Sequence, residues 1–176
     1  MTVITDAEIS SVSLASSVVF PAGGTGNPIS VAVIADEKSQ SSQGGGSSTS
    51  FTKRELNTEI SDPDGIVSIA SDQFTLSAGT YLINWSAPAY VAVRHQTQLY
   101  DATGSSVLKY GTSEYNASGS SVMTRSFGSY IHTITSNNTY EIQHRVGNAH
   151  SPDGLGVEAG MGNNNIYTLV VIYKLK

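Results

Sequence analysis

Apolar and polar residues alternate with a period of two along most of the chain from Ile29 onward. Side chains of a strand point alternately to the two faces of a sheet, so this period predicts strands with one buried face. No segment sustains a helical period, and clusters of Gly, Asn, Ser and Pro separate the alternating segments. The pattern therefore predicts about eight antiparallel strands in a sandwich or barrel. The segments are ISVAVIAD, QFTLS, TYLINWSA, VRHQTQLYD, SSVLKYGTS, RSFGSYIHTI, TYEIQHRVG and NIYTLVVIYKLK.

Three segments between the predicted strands have the composition of turns or loops. SDPDG at 61–65 and SPDG at 151–154 combine the fixed φ of proline with an Asp-Gly pair that tolerates left-handed geometry, so we expect the chain to reverse there. SDPDG lacks the further spaced oxygen ligands and the terminal Glu of a calcium loop. Residues 39–50, SQSSQGGGSSTS, are of low complexity and are predicted to form a flexible loop.

Residues 1–28 differ from the rest of the chain, because serines are interspersed with apolar residues and no strand period follows. Thr5 and Glu8 have the spacing of a capping box, which is compatible with a short helix. We interpret this segment as an extended arm held against a partner, and residues 29–176 as one domain. The alternative is that the segment packs on its own domain as an extra strand. The apolar residues expected to make the contact are Ile4, Ile9, Val12, Leu14, Val18 and Phe20.

Two histidines stand next to arginines, and strand alternation separates each pair. His95 and Arg94 are predicted to point to opposite faces of one strand, as are His144 and Arg145 of another, so neither pair forms a single site. The predicted face of His95 also carries Val91, Val93, Thr97 and Leu99, and that of His144 carries Tyr140, Ile142 and Val146.

Other features of the sequence argue against catalysis. Two histidines are too few for a catalytic zinc site, which uses three protein ligands, and the His-x-His pair of metal-binding cupins does not occur. Neither a Gly-x-Ser-x-Gly elbow nor a phosphate-binding loop is found. We therefore predict a protein that is not an enzyme and uses no cofactor. Its inward histidines are expected to make assembly sensitive to acid.

The composition favours a protein covered by protein partners. Charged residues make up 13% of the chain, against roughly 25% in typical soluble domains. The net charge is −5 and the basic residues are scattered singly, which argues against nucleic acid as a partner. There is no cysteine in the chain. No apolar run is long enough to span a bilayer, and the first residues lack the pattern of a signal peptide. We expect synthesis in a cytoplasm and no membrane partner.

The order of the motifs LNTEI, AGTY, RHQTQLYD, YGTSEY and QHR, closed by the apolar strand IYTLVVIYKL, resembles the jelly-roll domains of the C1q and tumour-necrosis-factor type. It is similar in particular to the version found in virion proteins of tailed bacteriophages of cyanobacteria and marine bacteria. The resemblance covers about residues 29–176. It implies an all-β antiparallel jelly roll that assembles into a homotrimer on a threefold axis. Residues expected in the trimer interface or core are His95, His144, Tyr167, Leu169, Val171 and Tyr173.

In phages the resemblance implies one of two roles. The first, which we favour because the chain shows no coiled-coil heptads or shaft repeats, is a trimeric decoration (cement) protein on the capsid exterior, with the arm bound to the major capsid protein. Three arms on one trimer would bind with a high effective concentration. The alternative is the receptor-binding tip of a tail fibre that recognises a host surface glycan. The loop residues proposed for that contact are Tyr115, Asn116, Asp153 and Asn163.

Overall fold

A computed structural model describes residues 29–117 and 119–175 of the chain as two antiparallel sheets packed face to face. The first sheet has five strands in the order β10-β6-β12-β1-β3. Their bounds are Ser30–Lys38 (β1), Thr58–Ser61 (β3), Gly79–Tyr90 (β6), Met123–Ile134 (β10) and Asn165–Lys174 (β12). The arm predicted at residues 1–28, with its apolar residues, lies outside the described part of the chain.

The second sheet follows the order β4-β5-β11-β7-β8, with a short strand β2 beside β11 and a short strand β9 beside β7. The bounds are Thr52–Lys53 (β2), Val67–Ala70 (β4), Gln73–Leu76 (β5), Arg94–Asp101 (β7), Ser106–Tyr110 (β8), Glu114–Tyr115 (β9) and Asn138–Val146 (β11). The predicted all-β antiparallel sandwich is confirmed, and the short strands β2, β3, β4 and β9 are additional to the prediction. No helix in the described residues has the length and hydrophobicity to cross a membrane.

The core lies between the two sheets and follows the predicted alternation. In β6, Tyr81, Ile83 and Trp85 are buried, while Leu82 and Asn84 between them are half-buried on the opposite face. The facing sheet contributes a second layer of buried side chains, which includes Phe74, Leu76, Leu99, Tyr140 and Ile142.

Gly128 of β10 is required by the position of Trp85 in the core. The two residues are direct partners across the β10–β6 ladder. A Cβ at position 128 would come within 1.9 Å of the indole ring. A side chain of any size is therefore excluded here, because the ring already occupies the space above the glycine.

Residues 39–50 form a loop between β1 and β2, as predicted, but this loop packs against residues 150–156. Gly44 N–H donates to Gly156 O at 2.8 Å, and Ser47 N–H donates to His150 O at 2.9 Å. A Cβ at Gly44 would lie 2.7 Å from the backbone of Leu155. The glycines here permit close backbone packing, so the low-complexity segment is held against a second loop.

The predicted face of β7 is confirmed only in part. His95, Thr97 and Leu99 are buried on one face, as expected. Val91 and Val93 precede the strand and have φ values of 53° and 62°. They lie in a tight bend in the left-handed region, which β-branched residues usually avoid, so strand alternation does not apply to them.

Both predicted reversals form. At 61–65, the Asp62 carboxylate accepts hydrogen bonds from the backbone N–H groups of Ile66 and Val67, each at 2.9 Å. At 151–154 the chain turns through a cis Ser151–Pro152 peptide bond.

Candidate binding surfaces and the buried polar cluster

His95 and His144 form a hydrogen-bonded pair inside the sandwich. They lie on the neighbouring strands β7 and β11, and His95 Nδ1 is 2.9 Å from His144 Nε2. The other ring nitrogen of His95 is 2.7 Å from Thr124 Oγ1 of the opposite sheet. The sequence predicted that each imidazole points inward. It contained no signal that the two rings meet.

Burial keeps both imidazoles neutral at pH 7. It lowers the pKa of His95 to about 4; Glu114 opposes this shift and Arg54 adds to it. Burial also lowers the pKa of His144 well below its usual value, and Arg54 and His95 lower it further. In the described part of the chain no three His, Cys, Asp or Glu side chains are placed to hold a metal ion.

A buried arginine, missed by the sequence analysis, lies near the histidine pair. Arg54 Nε donates to Thr168 Oγ1 at 2.8 Å, and a terminal guanidinium nitrogen donates to Leu155 O at 2.9 Å. Burial lowers the pKa of Arg54 to about 10, so the group stays charged at neutral pH. These bonds connect the segment before β3 to β12 and to the loop that follows β11. We assign Arg54 a structural role, because it is fully buried and its bonds go to the chain itself.

The outer face of the five-stranded sheet carries an exposed apolar surface, which we call the apolar face. Phe127 and Ile131 of β10 are 53% and 61% exposed. β6 pairs with β10 on one side and with β12 on the other, so residues of the three strands lie side by side in rows. Phe127, Ser86 and Leu169 form one such row, and Ile131, Leu82 and Tyr173 form another. A shallow groove of about 320 Å³ between Phe127, Leu169 and Val171 crosses the apolar face.

The residues predicted for the trimer interface or core fall into two groups. Leu169, Val171 and Tyr173 are half-buried on the apolar face. Tyr167 is instead covered, and its hydroxyl donates to Ser42 O at 2.6 Å. It is buried within one copy of the chain beneath loop residues such as Gly156, whereas His95 and His144 are buried between the sheets.

A second groove, of about 570 Å³, lies on the outer face of the seven-stranded sheet, and we call it the arginine groove. Arg94 and Gln96 of β7 and Arg145 of β11 line it, with the aromatic rings of Phe51 and Tyr115 as further lining. The Arg94 guanidinium lies 5.9 Å from the centre of the Tyr115 ring. The sequence indicated only that both arginines point outward.

The proposed recognition residues differ in accessibility. Tyr115 is 63% exposed and Asn163 is exposed, whereas Asn116 is only 5% exposed. Asn116 Oδ1 accepts the Val93 N–H at 2.7 Å, and its Nδ2 donates to Val122 O at 3.2 Å. The side chain of Asn116 therefore holds the bend before β7 and does not present its polar atoms to a ligand.

The proposed recognition residues belong to two segments, 115–124 and 149–165, which lie at the same end of the sandwich. Tyr90 N–H donates to Gly154 O at 3.0 Å, and the next residue, Val91, donates to Val122 O at 3.4 Å. Both loops are thus attached to the end of β6. Asp153 is half-buried, with Oδ1 at 3.0 Å from His150 Nε2.

No protein-family model matches the chain, and no curated protein matches it in sequence. Solved structures do match it. The globular domain of zebrafish complement 1qA protein aligns with a TM-score of 0.55 and 15% identity, over 84% of this chain and 98% of that one. Murine APRIL at pH 8.0 aligns with a TM-score of 0.54 and 12% identity, over 84% of this chain and 99% of that one. The Eiger TNF from S. frugiperda aligns with a TM-score of 0.53 and 10% identity, over 85% of this chain and 94% of that one. At these identities the likeness shows the fold, a jelly roll of the C1q and TNF type.

Proposed function

We propose that this protein is a homotrimeric, non-enzymatic virion protein of a tailed bacteriophage that decorates the capsid exterior. The apolar face is the main structural support for the proposed trimer. Scattered exposed apolar residues are ordinary, whereas a contiguous patch is typical of an interface. Here Phe127, Ile131 and Val171 lie on one sheet face whose central rows contain no charged residue.

Further copies of the chain are the occupants that fit this face. A closed ring of three copies covers all three apolar faces without leaving an open contact. Asn84, Ser86 and Ser129 interrupt the apolar rows with uncharged polar groups. Such groups cost less to desolvate than ions do.

Capsid binding is assigned to the arm. Its apolar residues contribute about 25 cal/mol per Å² that they remove from water. Three arms on one trimer increase avidity, and binding to the assembled shell stabilises the shell by linkage. The phage resemblance in the sequence and the apolar content of residues 1–28 support this assignment.

The trimer is tested by sedimentation velocity. The parent protein is expected to sediment as a trimer, and the double variant Phe127→Asp/Ile131→Asp as a folded monomer. Val107→Asp is the control, because Val107 is also exposed but lies on the other sheet. A monomeric parent protein would refute the trimer.

Capsid binding is tested by co-sedimentation with undecorated capsids of the phage that encodes the protein. Leu14→Asp/Phe20→Asp in the full chain is expected to abolish binding and preserve the trimer. Ser16→Asp/Ser17→Asp adds the same charge to the arm and is expected to bind. Undiminished binding of the first variant would contradict a role of the arm.

A second candidate function is the receptor-binding tip of a tail fibre. The arginine groove favours it, because cationic and aromatic side chains line one concave surface close to the loop end of the sandwich. Purified protein would then adhere to host cells and block infection by the phage. A protein that serves only in decoration would do neither.

A further inference from the structure

We infer that the arginine groove binds a saccharide that carries carboxylate groups, such as a uronic-acid oligosaccharide. The inference deepens the receptor-binding candidate and rests on it, while it requires neither the trimer nor the capsid. The groove lies on the sheet opposite the apolar face, so it stays open if that face is covered.

The arginines of the chain fall into two pairs with different surroundings. Arg54 and Arg125 direct their guanidinium groups at backbone carbonyls and hydroxyls of their own domain. Arg94 and Arg145 line the groove, and within the described residues neither makes a side-chain hydrogen bond or an ion pair. In a chain with a net charge of −5, one concavity therefore contains two arginines whose hydrogen-bonding capacity is not used by the described residues, although the guanidinium of Arg94 lies 5.9 Å from the centre of the Tyr115 ring.

Arg94 and Arg145 lie at a spacing that suits carboxylate groups. Arg145 pairs directly with Gln96 across the β7–β11 ladder, and Arg94 lies two residues before Gln96 on the same face. Diagonal neighbours of this kind have Cα atoms about 7–8 Å apart. Two long side chains at that spacing can reach one carboxylate together or the carboxylates of adjacent sugar units. A guanidinium binds a carboxylate with two parallel N–H···O bonds.

The aromatic lining of the groove favours a sugar over a small inorganic anion. Tyr115 is largely exposed and Phe51 is half-buried, and each offers a ring to the groove. The C–H groups on one side of a pyranose ring pack against aromatic rings, whereas a free phosphate has no apolar groups to pack there. The volume of about 570 Å³ is within the range of sites for small ligands and accommodates a short oligosaccharide.

The remaining polar groups suit hydroxyl recognition. Gln96 Nε2 donates to Gly111 O at 2.9 Å and lies 3.2 Å from Ser113 Oγ, which fixes the amide. Its carbonyl oxygen is left as an acceptor for a sugar hydroxyl. Thr49 adds a hydroxyl to the lining. The carboxylate of Glu114 also lines the groove and lowers its net positive charge, so a ligand of very high charge density is not favoured.

The test is calorimetric titration of the full-length protein with trigalacturonate, a glucuronate trimer and sialyllactose, and with maltotriose as the neutral comparison. We expect at least one acidic sugar to bind with a Kd below about 1 mM and maltotriose to bind about tenfold more weakly or not at all. Arg94→Gln and Arg145→Gln are each expected to weaken binding about tenfold or more, the cost of losing a charge-assisted hydrogen bond. Tyr115→Ala is expected to weaken binding, and Tyr115→Phe to preserve it.

Lys109→Gln is the matched control, because it removes one positive charge from an exposed position outside the groove. Its binding is expected to equal that of the parent protein. The inference is overturned if none of the three acidic sugars binds. It is also overturned if Lys109→Gln weakens binding as much as the arginine variants do. Tighter binding of inorganic phosphate or of a poly-glutamate peptide through Arg94 and Arg145 would overturn it as well. Failure of the capsid or trimer experiments leaves these results unaffected.

Discussion

Nδ1 of His95 lies 2.9 Å from Nε2 of His144, so two imidazoles of neighbouring strands share a hydrogen bond in the interior of the sandwich. The pair accommodates a proton poorly, because burial and the Arg54 charge disfavour the imidazolium form of both rings. We therefore expect acid to destabilise the folded state through these two residues.

We expect the free energy of unfolding to fall as the pH decreases from 7 to about 4. The pKa of His95 is about 4 in the folded protein, against 6.5 for an ordinary histidine. The unfolded chain takes up the proton first, so stability is full above pH 6.5 and is lost towards pH 4. The loss from His95 alone is about 3 kcal/mol. His144 acts in the same direction.

Asp36 opposes this trend, and substitutions separate the two contributions. Burial raises the pKa of the Asp36 carboxyl to about 6, so its protonation between pH 6 and 3.8 stabilises the folded state. Urea unfolding at a series of pH values should show a flatter acid dependence for His95→Gln/His144→Gln than for the parent protein, and a steeper one for Asp36→Asn. Equal slopes for the parent protein and the histidine variant would argue against the pair as the acid-sensitive element.

Gly128→Ala is expected to destabilise the domain by about 3 kcal/mol or to prevent folding, because the new methyl group overlaps the Trp85 indole. Trp85 reports the change directly, since its fluorescence depends on its burial. The control is Ser106→Ala, whose side chain is exposed on β8 of the other sheet. A change below about 0.5 kcal/mol is expected for it. An equally mild effect of Gly128→Ala would mean that the ring does not lie over this glycine.

Arg54→Met is expected to lower the free energy of unfolding by about 2–4 kcal/mol, because it leaves Thr168 Oγ1 and Leu155 O without their donor in the interior. Arg54→Lys should rescue little of this, since a point-like ammonium cannot replace a planar guanidinium that donates in several directions. Urea titration measures both variants. Arg145→Met provides the exposed comparison and should stay within about 0.5 kcal/mol of the parent protein.

Amide hydrogen exchange distinguishes a packed segment from a flexible one at residues 39–50. The N–H groups of Gly44 and Ser47 should be protected, because each donates to a carbonyl of the 150–156 loop. Gly44→Ala should abolish that protection, since its Cβ meets the Leu155 backbone. Ser50→Ala, at an exposed position of the same segment, should retain it. Rapid exchange at Gly44 in the parent protein would support the flexible loop.

Features that depend on residues close together in the chain could be predicted from the sequence, and features that depend on distant residues could not. The alternation Tyr81, Ile83, Trp85 predicted which side chains are buried, since the period of two depends on the strand itself. The same logic correctly separated Arg94 from His95. It failed at Val91 and Val93, because positive φ values in the bend break the alternation. The packing of the glycine-rich run at 39–50 leaves no local signal for a related reason, since its partners are about a hundred residues away in the chain.

The sequence by itself determined the all-β class, the positions of the long strands and the inward direction of both histidines, because strand alternation and turn chemistry act between near neighbours. Only the tertiary structure decided that His95 meets His144, that Arg54 is buried, that Phe127 and Val171 belong to one exposed face, and that Phe51 and Tyr115 line the same groove as Arg94 and Arg145. Each of these relationships joins segments far apart in the chain, and the register and packing of the two sheets create them.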